Sequence, residues 1–340
     1  MTSFTVRPYE PGDEEGIVSL FNRVFSEDNP AFKARSVENW SSIYLDNPAG
    51  IQVFVAVGNE GDIIGNYSSI PSPCTLWGRA GLSTQAVDTC VDRRYRGRLS
   101  KGSVFVTIAR SFIEHFSREG KEPFDDYMWG LPNEQAFPVG TRIIGYQPVR
   151  CPMPVWSMDL ESEWVETMES KGAGCVVESW DMEGAADLAE RLYLAHADEA
   201  PLGLRKDAAM LRWRYRPRED VQYGVFVAKR DAEAVGLLVY RLGWMDQPLV
   251  PLVDWLGGGA DVEATAGLLG AVGKVAVEKG GRRLETWVSP TSPWATTLST
   301  LGFEKGDSPF NLCIMTFAPE FRSDWSREDW SVTMGDSDIY

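Results

Sequence analysis

Histidine and cysteine are scarce in this chain, and this scarcity excludes several kinds of site. Two histidines occur among the 340 residues. The five cysteines are scattered, with no CxxC pair and no histidine-rich segment, so the sequence predicts neither a disulfide framework nor a zinc or other metal site. We expect reduced, mostly buried thiols. The cysteines are Cys74, Cys90, Cys151, Cys175 and Cys313.

Long apolar runs and a basic leader are also missing. No stretch approaches the roughly 20 apolar residues of a membrane span, so no membrane partner is expected. The segment MTSFTVRPYEPGDEEG has no basic part followed by an apolar part, which predicts a cytoplasmic location without a signal peptide. The net charge of −16 would repel nucleic-acid phosphates, and it suits a cationic or neutral substrate.

The chain is too long for one ordinary core, and its patterns repeat in the same order in both halves. VFVAV at 53–57 and VFVAK at 225–229 each precede a charged turn and a second strand-like segment, which is typical of a hairpin. Asp88 and Asp254 then lie in matching apolar runs. These patterns predict one α/β unit used twice. The predicted parts are a first domain at 1–156, a linker within 157–174, a second domain at 175–320 and a polar tail at 321–340.

Hydrophobic periodicity predicts several elements of the first domain. Apolar side chains recur at helical spacing from Val104 to Phe116, which predicts a helix face packed on a core. The predicted elements are a strand at 4–8, a helix at 13–25, a strand at 83–91, a helix at 102–117 and a strand at 126–131.

Five cations lie within nine residues between the strand 83–91 and the helix 102–117. They are Arg93, Arg94, Arg96, Arg98 and Lys101. A helix N-terminus carries unpaired N–H groups and a partial positive charge. Gly97 and Gly102 would let the backbone approach a ligand closely. Together these features predict a phosphate site, and the alternative is a solvated basic loop that balances acids elsewhere.

Residues 85–105, QAVDTCVDRRYRGRLSKGSVF, resemble the coenzyme A motif of the GNAT N-acetyltransferase superfamily. The segments TVRPYEPGDEEGIVSLFNRVF and WGLPNEQAF…RIIGYQPV resemble the family's first two elements and its fifth strand with the helix that follows. The similarity spans about residues 3–155, and the repeat extends it weakly to 175–317. The resemblance to the tandem-domain branch implies an α/β fold of the α+β type, with two GNAT-like domains. Each would have a mixed, mostly antiparallel twisted sheet flanked by helices.

The resemblance also implies an activity. The chain would be an acyltransferase, in the first place an N-acetyltransferase, that moves an acyl group from acetyl-CoA or another acyl-CoA to a primary amine by direct attack. The acceptor would be a small-molecule or peptide amine. The residues implied to bind the CoA thioester are Thr89, Cys90, Val91, Arg96, Gly97, Arg98, Leu99, Ser100, Lys101, Gly102 and Asn133.

Several positions depart from the family pattern. Leu99 and Lys101 fall where the turn has small residues, and Gln85 stands where many members have a glutamate base. No tyrosine acid follows Asn133, whose alternative role is a helix N-cap. Asp88 is the remaining catalytic base candidate, and Asn133 is the second catalytic candidate. Asp88 could equally be a buried acid paired with an arginine, as the matching Asp254 suggests.

The second half has LGGGADVEATAG where the first has its basic turn, with no cation. We therefore predict a C-terminal domain that lacks the CoA motif. It could form one wall of the acceptor pocket or carry a homodimer surface. Two other functions stay open. The chain could bind acyl-CoA as a non-catalytic sensor, or it could transfer an aminoacyl group from tRNA, as some tandem relatives of this fold do. The net charge argues against a tRNA partner.

Overall fold

The computed structural model describes residues 3–27, 29, 32–96, 102–117, 124–149, 153–218, 221–308, 310–318 and 330–340. The strands are β1 (Phe4–Pro8), β2 (Gln52–Gly58), β3 (Ile63–Leu76), β4 (Arg79–Val91), β5 (Tyr127–Gly130), β6 (Gln147–Pro148), β7 (Val155–Asp159), β8 (Val176–Trp180), β9 (Leu202–Leu204), β10 (Gln222–Arg230), β11 (Glu233–Leu242), β12 (Leu249–Gly257), β13 (Arg283–Trp287), β14 (Glu304–Gly306), β15 (Cys313–Thr316) and β16 (Trp330–Ser331). The α-helices are α1 (Glu14–Ser26), α2 (Val37–Tyr44), α3 (Val104–Phe116), α4 (Ala136–Val139), α5 (Ser162–Lys171), α6 (Met182–Ala195), α7 (Ala208–Arg214), α8 (Val262–Glu278) and α9 (Pro293–Thr300).

The elements predicted in the first half are present within a few residues of their expected bounds. β1, α1, β4, α3 and β5 correspond to the predicted strand, helix, strand, helix and strand. Both predicted hairpins also occur, because β2 pairs antiparallel with β3 and β10 pairs antiparallel with β11. Within the described part of the chain, every helix falls short of the length and hydropathy that a membrane crossing requires.

The chain divides into two compact units. The first comprises the described residues of 1–73, 81–149 and 310–324, and the second those of 74–80, 150–309 and 325–340. The sheet of the first unit has the order β1-β2-β3-β4-β5-β15-β6, and the sheet of the second has the order β14-β7-β13-β12-β11-β10-β8. In each sheet one central pair is parallel, β4 with β5 and β12 with β13. The predicted mixed, mostly antiparallel sheets are therefore confirmed.

Alternation along β2 explains how the sheet of the first unit is covered on both faces. Phe54 and Ala56 pack in the core cluster that contains α3, whereas Val53 and Val55 pack in the cluster formed with α1 and α2. Successive side chains of a strand point to opposite faces, so a run of apolar residues requires two covering layers. The apolar face of α3 supplies one of these layers, which confirms its predicted core role.

The compact units do not follow the continuous boundaries predicted at 1–156, 175–320 and 321–340. β15 belongs to the first unit, where it pairs with both β5 and β6. The prediction of a linker within 157–174 is wrong, because β7 pairs with β13 and β14, and α5 buries Val165 and Met168. In the described part of the tail, Trp330 is buried and β16 pairs with β9.

Candidate functional site

The position predicted to hold the thioester lies where β4 and β5 separate. Parallel pairing joins Ser83–Gln85 to Tyr127–Trp129. β5 then ends at Gly130, whereas β4 continues to Val91. On this side, Thr89 is partly buried, and Cys90 and Val91 are buried. The end of β4 thus extends beyond its parallel neighbour and offers a strand edge to an extended ligand.

Asp88 lies at an irregularity in β4, with a φ angle of 52°. Its carboxylate accepts hydrogen bonds from the Arg35 guanidinium and from the Tyr44 hydroxyl, the latter at 2.5 Å. Its backbone carbonyl accepts a bond from the Asn66 side-chain amide at 2.9 Å. The carboxylate proposed as a base therefore already has two donors, which is the paired arrangement that the sequence left as the alternative.

Cys90 is poorly suited to nucleophilic chemistry. Burial raises the pKa of its thiol, and the charge of Asp88 raises it further. Nearby arginines oppose this shift but do not reverse it. A thiol that stays protonated is a weak nucleophile, which favours the role of a small core residue.

Arginines cluster where β4 ends. Arg23 and Arg94 both bond to the carboxylate of Asp92, at 2.8 and 3.0 Å. The bonds from Arg94, together with the bond from Arg23, lower the pKa of Asp92 to about 2. Arg96 donates from Nε to the Val91 carbonyl at 2.7 Å, and its side chain is 42% exposed. The Arg96 guanidinium also lies 3.8 Å from a carboxylate oxygen of Glu27, so the side chain is anchored on two sides while it stays partly exposed.

The basic turn continues into residues outside the described ranges. These residues are Gly97, Arg98, Leu99, Ser100 and Lys101. The described chain resumes at Gly102, which is exposed and directly precedes Ser103, the N-cap of α3. The first turn of α3 carries no acidic side chain. The Ser103 hydroxyl oxygen is buried and has no hydrogen-bond partner among the described residues.

Asn133 lies after β5, at the start of α4. Its side-chain oxygen accepts bonds from the backbone N–H groups of Gln135 and Ala136, at 3.1 and 2.8 Å. This is the capping arrangement that the sequence left open, and it fixes the side chain at the entrance to the helix. The residue is exposed. Its amide nitrogen can still donate a bond to a ligand.

Sequence reasoning missed three residues at this site. Arg35 and Tyr44 bond to Asp88, and Ser103 stands at the N-cap position of α3 without a side-chain capping bond. Arg35 carried no usable signal, because it is 53 positions from its partner. Ser103 could have been found, since a serine directly before an apolar helical stripe is a typical N-cap.

The equivalent end of β12 in the second unit is built differently. One carboxylate oxygen of Glu199 accepts a bond from the Gly259 N–H at 3.1 Å. Asp261 caps α8 by accepting from the Ala264 N–H, and Arg230 donates to both Asp261 and Glu263. Carboxylates from the chain itself therefore occupy the place where phosphates would need free donors.

No protein-family model matches this sequence, and no curated protein is significantly similar to it. Solved structures do match. A probable N-acyltransferase of Enterococcus faecalis V583 has a TM-score of 0.69 at 12% identity, over 93% of this chain and 73% of that one. A GCN5-related N-acetyltransferase of Anabaena variabilis has a TM-score of 0.65 at 13% identity, with the same coverage.

Saccharomyces cerevisiae N-myristoyltransferase with bound myristoyl-CoA has a TM-score of 0.57 at 12% identity, over 92% of this chain and 82% of that one. These structural matches establish the fold. Sequence identities this low do not identify the reaction. The chain has the fold of the GCN5-related N-acetyltransferases, which confirms the fold that the sequence resemblance predicted.

Proposed function

We propose that this protein is an N-acyltransferase that uses acetyl-CoA or another acyl-CoA as the acyl donor, held by the first unit. The contrast between two equivalent strand ends carries the proposal. At the end of β4, Arg96 lies 3.8 Å from Glu27 but its side chain is 42% exposed, and the first turn of α3 has no acidic side chain. At the end of β12, Glu199 and Asp261 already accept bonds from the backbone N–H groups. A diphosphate suits the first place and is repelled from the second.

Two features of the first unit fit a CoA thioester. The buried Ser103 hydroxyl, without a partner among the described residues, can donate to a phosphate oxygen at the start of α3. The β4 edge at Thr89–Val91 can pair with the amides of the pantetheine arm, because β5 has ended by that point. The similarity to a myristoyltransferase with bound myristoyl-CoA supports the same donor class.

Transfer of the acyl group depends mainly on alignment of the amine with the thioester, and it requires no covalent intermediate with the protein. The amine nitrogen attacks the thioester carbonyl carbon, a C–N bond forms, the C–S bond breaks, and the leaving sulfur is protonated. The amine must lose a proton, because a lysine-like amine of pKa about 10.4 is charged at neutral pH. Because the Asp88 carboxylate is already bonded to Arg35 and Tyr44, water accepts that proton, and Asp88 stabilises the irregular backbone of β4. Burial raises the pKa of the Cys90 thiol, which argues against a role as an acyl carrier.

The test is acyl-CoA binding and turnover by a charge-reversed variant. We expect Arg96→Glu with Arg98→Glu to weaken binding of acetyl-CoA by about a hundredfold or more, because two cations of the basic turn become anions. Calorimetry would measure the affinity, and release of free thiol with a panel of small-molecule and peptide amines would measure turnover.

A matched control changes the net charge equally in the second unit. Arg191→Glu with Lys279→Glu alters two exposed side chains, and we expect it to leave acyl-CoA affinity unchanged within about twofold. If both double variants bind acyl-CoA equally, or if neither the wild-type protein nor the variants bind any acyl-CoA, the proposal is wrong.

An acyl-CoA sensor is the second candidate, and one observation favours it. Asp88 is the only acidic residue of β4, and its carboxylate is already bonded to the Arg35 guanidinium and the Tyr44 hydroxyl. A sensor would bind the thioester tightly and release no thiol with any amine. Thiol release that depends on an amine would exclude this candidate.

A further inference from the structure

The second unit contains a cavity of about 80 Å³ where β12 and β13 separate. A single water molecule requires roughly 10–15 Å³ measured in this way, so the space can hold a small organic molecule. Aromatic side chains form much of its wall, namely Tyr193, Trp255, Trp287 and Trp294. The rings of Trp255 and Trp294 are 5.1 Å apart at their centroids and tilted by 40°.

His196 lines the same cavity and is oriented by a carboxylate. Its Nδ1 lies 3.0 Å from one oxygen of Glu199, and the other oxygen of Glu199 accepts the Gly259 N–H. Nδ1 therefore carries the hydrogen and donates it to Glu199. In the neutral imidazole, Nε2 then offers a lone pair. Among the described residues, Nε2 has no hydrogen-bond partner.

The charges around the cavity disfavour an anion. Lys206 is the lysine in the wall, and its ammonium group donates to Asp254, Thr333 and Asp336 at 2.7, 3.2 and 2.5 Å. Its three donors are thus all used within the protein. The Gly259 amide is also used, by Glu199. A phosphate or carboxylate would find carboxylates nearby and no free cation among the described lining residues.

We propose that this cavity binds a small organic ammonium ion. An N–H of the ammonium donates to Nε2 of His196, the Glu199 carboxylate behind the imidazole stabilises the positive charge, and the tryptophan faces contact the cation and its apolar body. The site belongs to the second unit alone and is separate from the acyl-CoA site of the first. It does not depend on the proposed acyltransferase activity.

Three probes of the same shape and different charge test the proposal on the full chain. Benzylamine, benzyl alcohol and benzoate would be titrated at about pH 8, where the amine is still cationic. The readout is the NMR signals of the imidazole rings, and the chain has two histidines. We expect benzylamine to shift the His196 signal and leave that of His115 unchanged. We expect benzyl alcohol to bind at least about tenfold more weakly, and benzoate not to bind.

Variants then assign the contacts. Glu199→Gln keeps the size of the side chain, and Trp294→Leu removes one ring, and each is expected to weaken benzylamine binding by about tenfold. His115→Gln and Arg96→Glu are the controls and should leave it unchanged. The Arg96 control separates this site from the acyl-CoA site.

The proposal is wrong if benzoate or benzyl alcohol binds as tightly as benzylamine. It is also wrong if the wild-type His196 signal does not move in any titration. Both outcomes are measured on the wild-type protein, so the test remains decisive even if a variant fails to fold.

Discussion

Asp88 and Asp254 stand at matching places in the two units and are held in the same way. Each carboxylate accepts a bond from a tyrosine hydroxyl, Tyr44 for Asp88 and Tyr215 for Asp254. Each also pairs with a cation, Arg35 or Lys206. Burial alone would lower the pKa of Lys206, but the carboxylates of Asp254 and Asp336 outweigh burial and raise it. A buried charge is tolerated only when it is paired and hydrogen-bonded, so this shared arrangement indicates a structural role for both aspartates.

Asp125, two residues before β5, is also buried, and its environment predicts a pH effect. Burial raises its pKa to about 8, the Gln52 amide opposes the shift, and the neighbouring Asp126 adds to it. The folded state therefore holds a proton that the unfolded state releases above about pH 4. This contribution to stability is full below pH 4 and is lost as the pH rises towards 8.

We expect Asp125→Asn to remove this dependence. Between about pH 5 and pH 7, the free energy of unfolding of the variant should rise relative to wild type by up to about 1.4 kcal/mol per pH unit. Urea unfolding at several pH values would measure it. Asp92→Asn is the control, since the pKa of Asp92 is lowered to about 2 and its own effect lies at more acidic pH. A constant difference between wild type and Asp125→Asn would contradict the prediction.

At the scale of elements, α5 and α8 of the second unit approach closely because glycines meet at the contact. A Cβ added to Gly172 would lie 2.3 Å from the Cα of Gly267. A Cβ added to Gly270 would lie 3.0 Å from the backbone nitrogen of Glu169. Both obstacles are backbone atoms, which cannot rotate away as a flexible side chain can. The small residues of this pair of helices therefore set the distance between the helices.

Gly172→Ala tests this contact. We expect the substitution to lower the free energy of unfolding by about 1–3 kcal/mol, because the two helices must separate. Gly306→Ala is the matched control in the same unit, where the nearest atom to the added Cβ is 3.8 Å away. It should change the stability by less than about 0.5 kcal/mol. Equal stability of the two variants in urea unfolding would exclude close helix packing as the reason for Gly172.

At the scale of the whole chain, the first unit depends on a strand that is distant in sequence. β15 lies between β5 and β6 in the sheet, although it begins at Cys313. Its Ile314 pairs with Trp129 on one side and with Gln147 on the other. Without β15, β5 would become an exposed sheet edge with unpaired backbone groups.

A fragment of residues 1–152 should therefore fail to unfold cooperatively. The same fragment extended by a flexible linker and residues 310–318 should recover a cooperative transition, because β15 is restored. The control carries Ile314→Pro in the added strand, which removes a ladder hydrogen bond and should abolish the recovery. Circular dichroism during thermal unfolding would follow all three. A cooperative transition in the fragment 1–152 alone would contradict the role given to β15.

From the sequence we could locate five elements of the first unit and both hairpins, and the family resemblance predicted the fold. Hydrophobic periodicity is a local property, so β1, α1, β4, α3 and β5 could be located closely from composition and spacing alone. Similar hydrophobic patterns recur in the same order around Asp88 and Asp254. They predicted that one unit occurs twice, because the same pattern of apolar residues favours the same secondary structure. The basic turn after β4 also followed from sequence, because five cations in nine residues are visible without a structure.

Contacts between residues that are distant in sequence became visible only in the folded chain. The exchange of β15 into the first unit, the pairing of Asp88 with Arg35, and the His196–Glu199 pair beside a cavity are contacts that arise through folding. Strand pairing and ion pairing depend on distance in space, and a short strand has the same local pattern whichever sheet it joins. For that reason the sequence could place the candidate residues along the chain, whereas their partners required the fold.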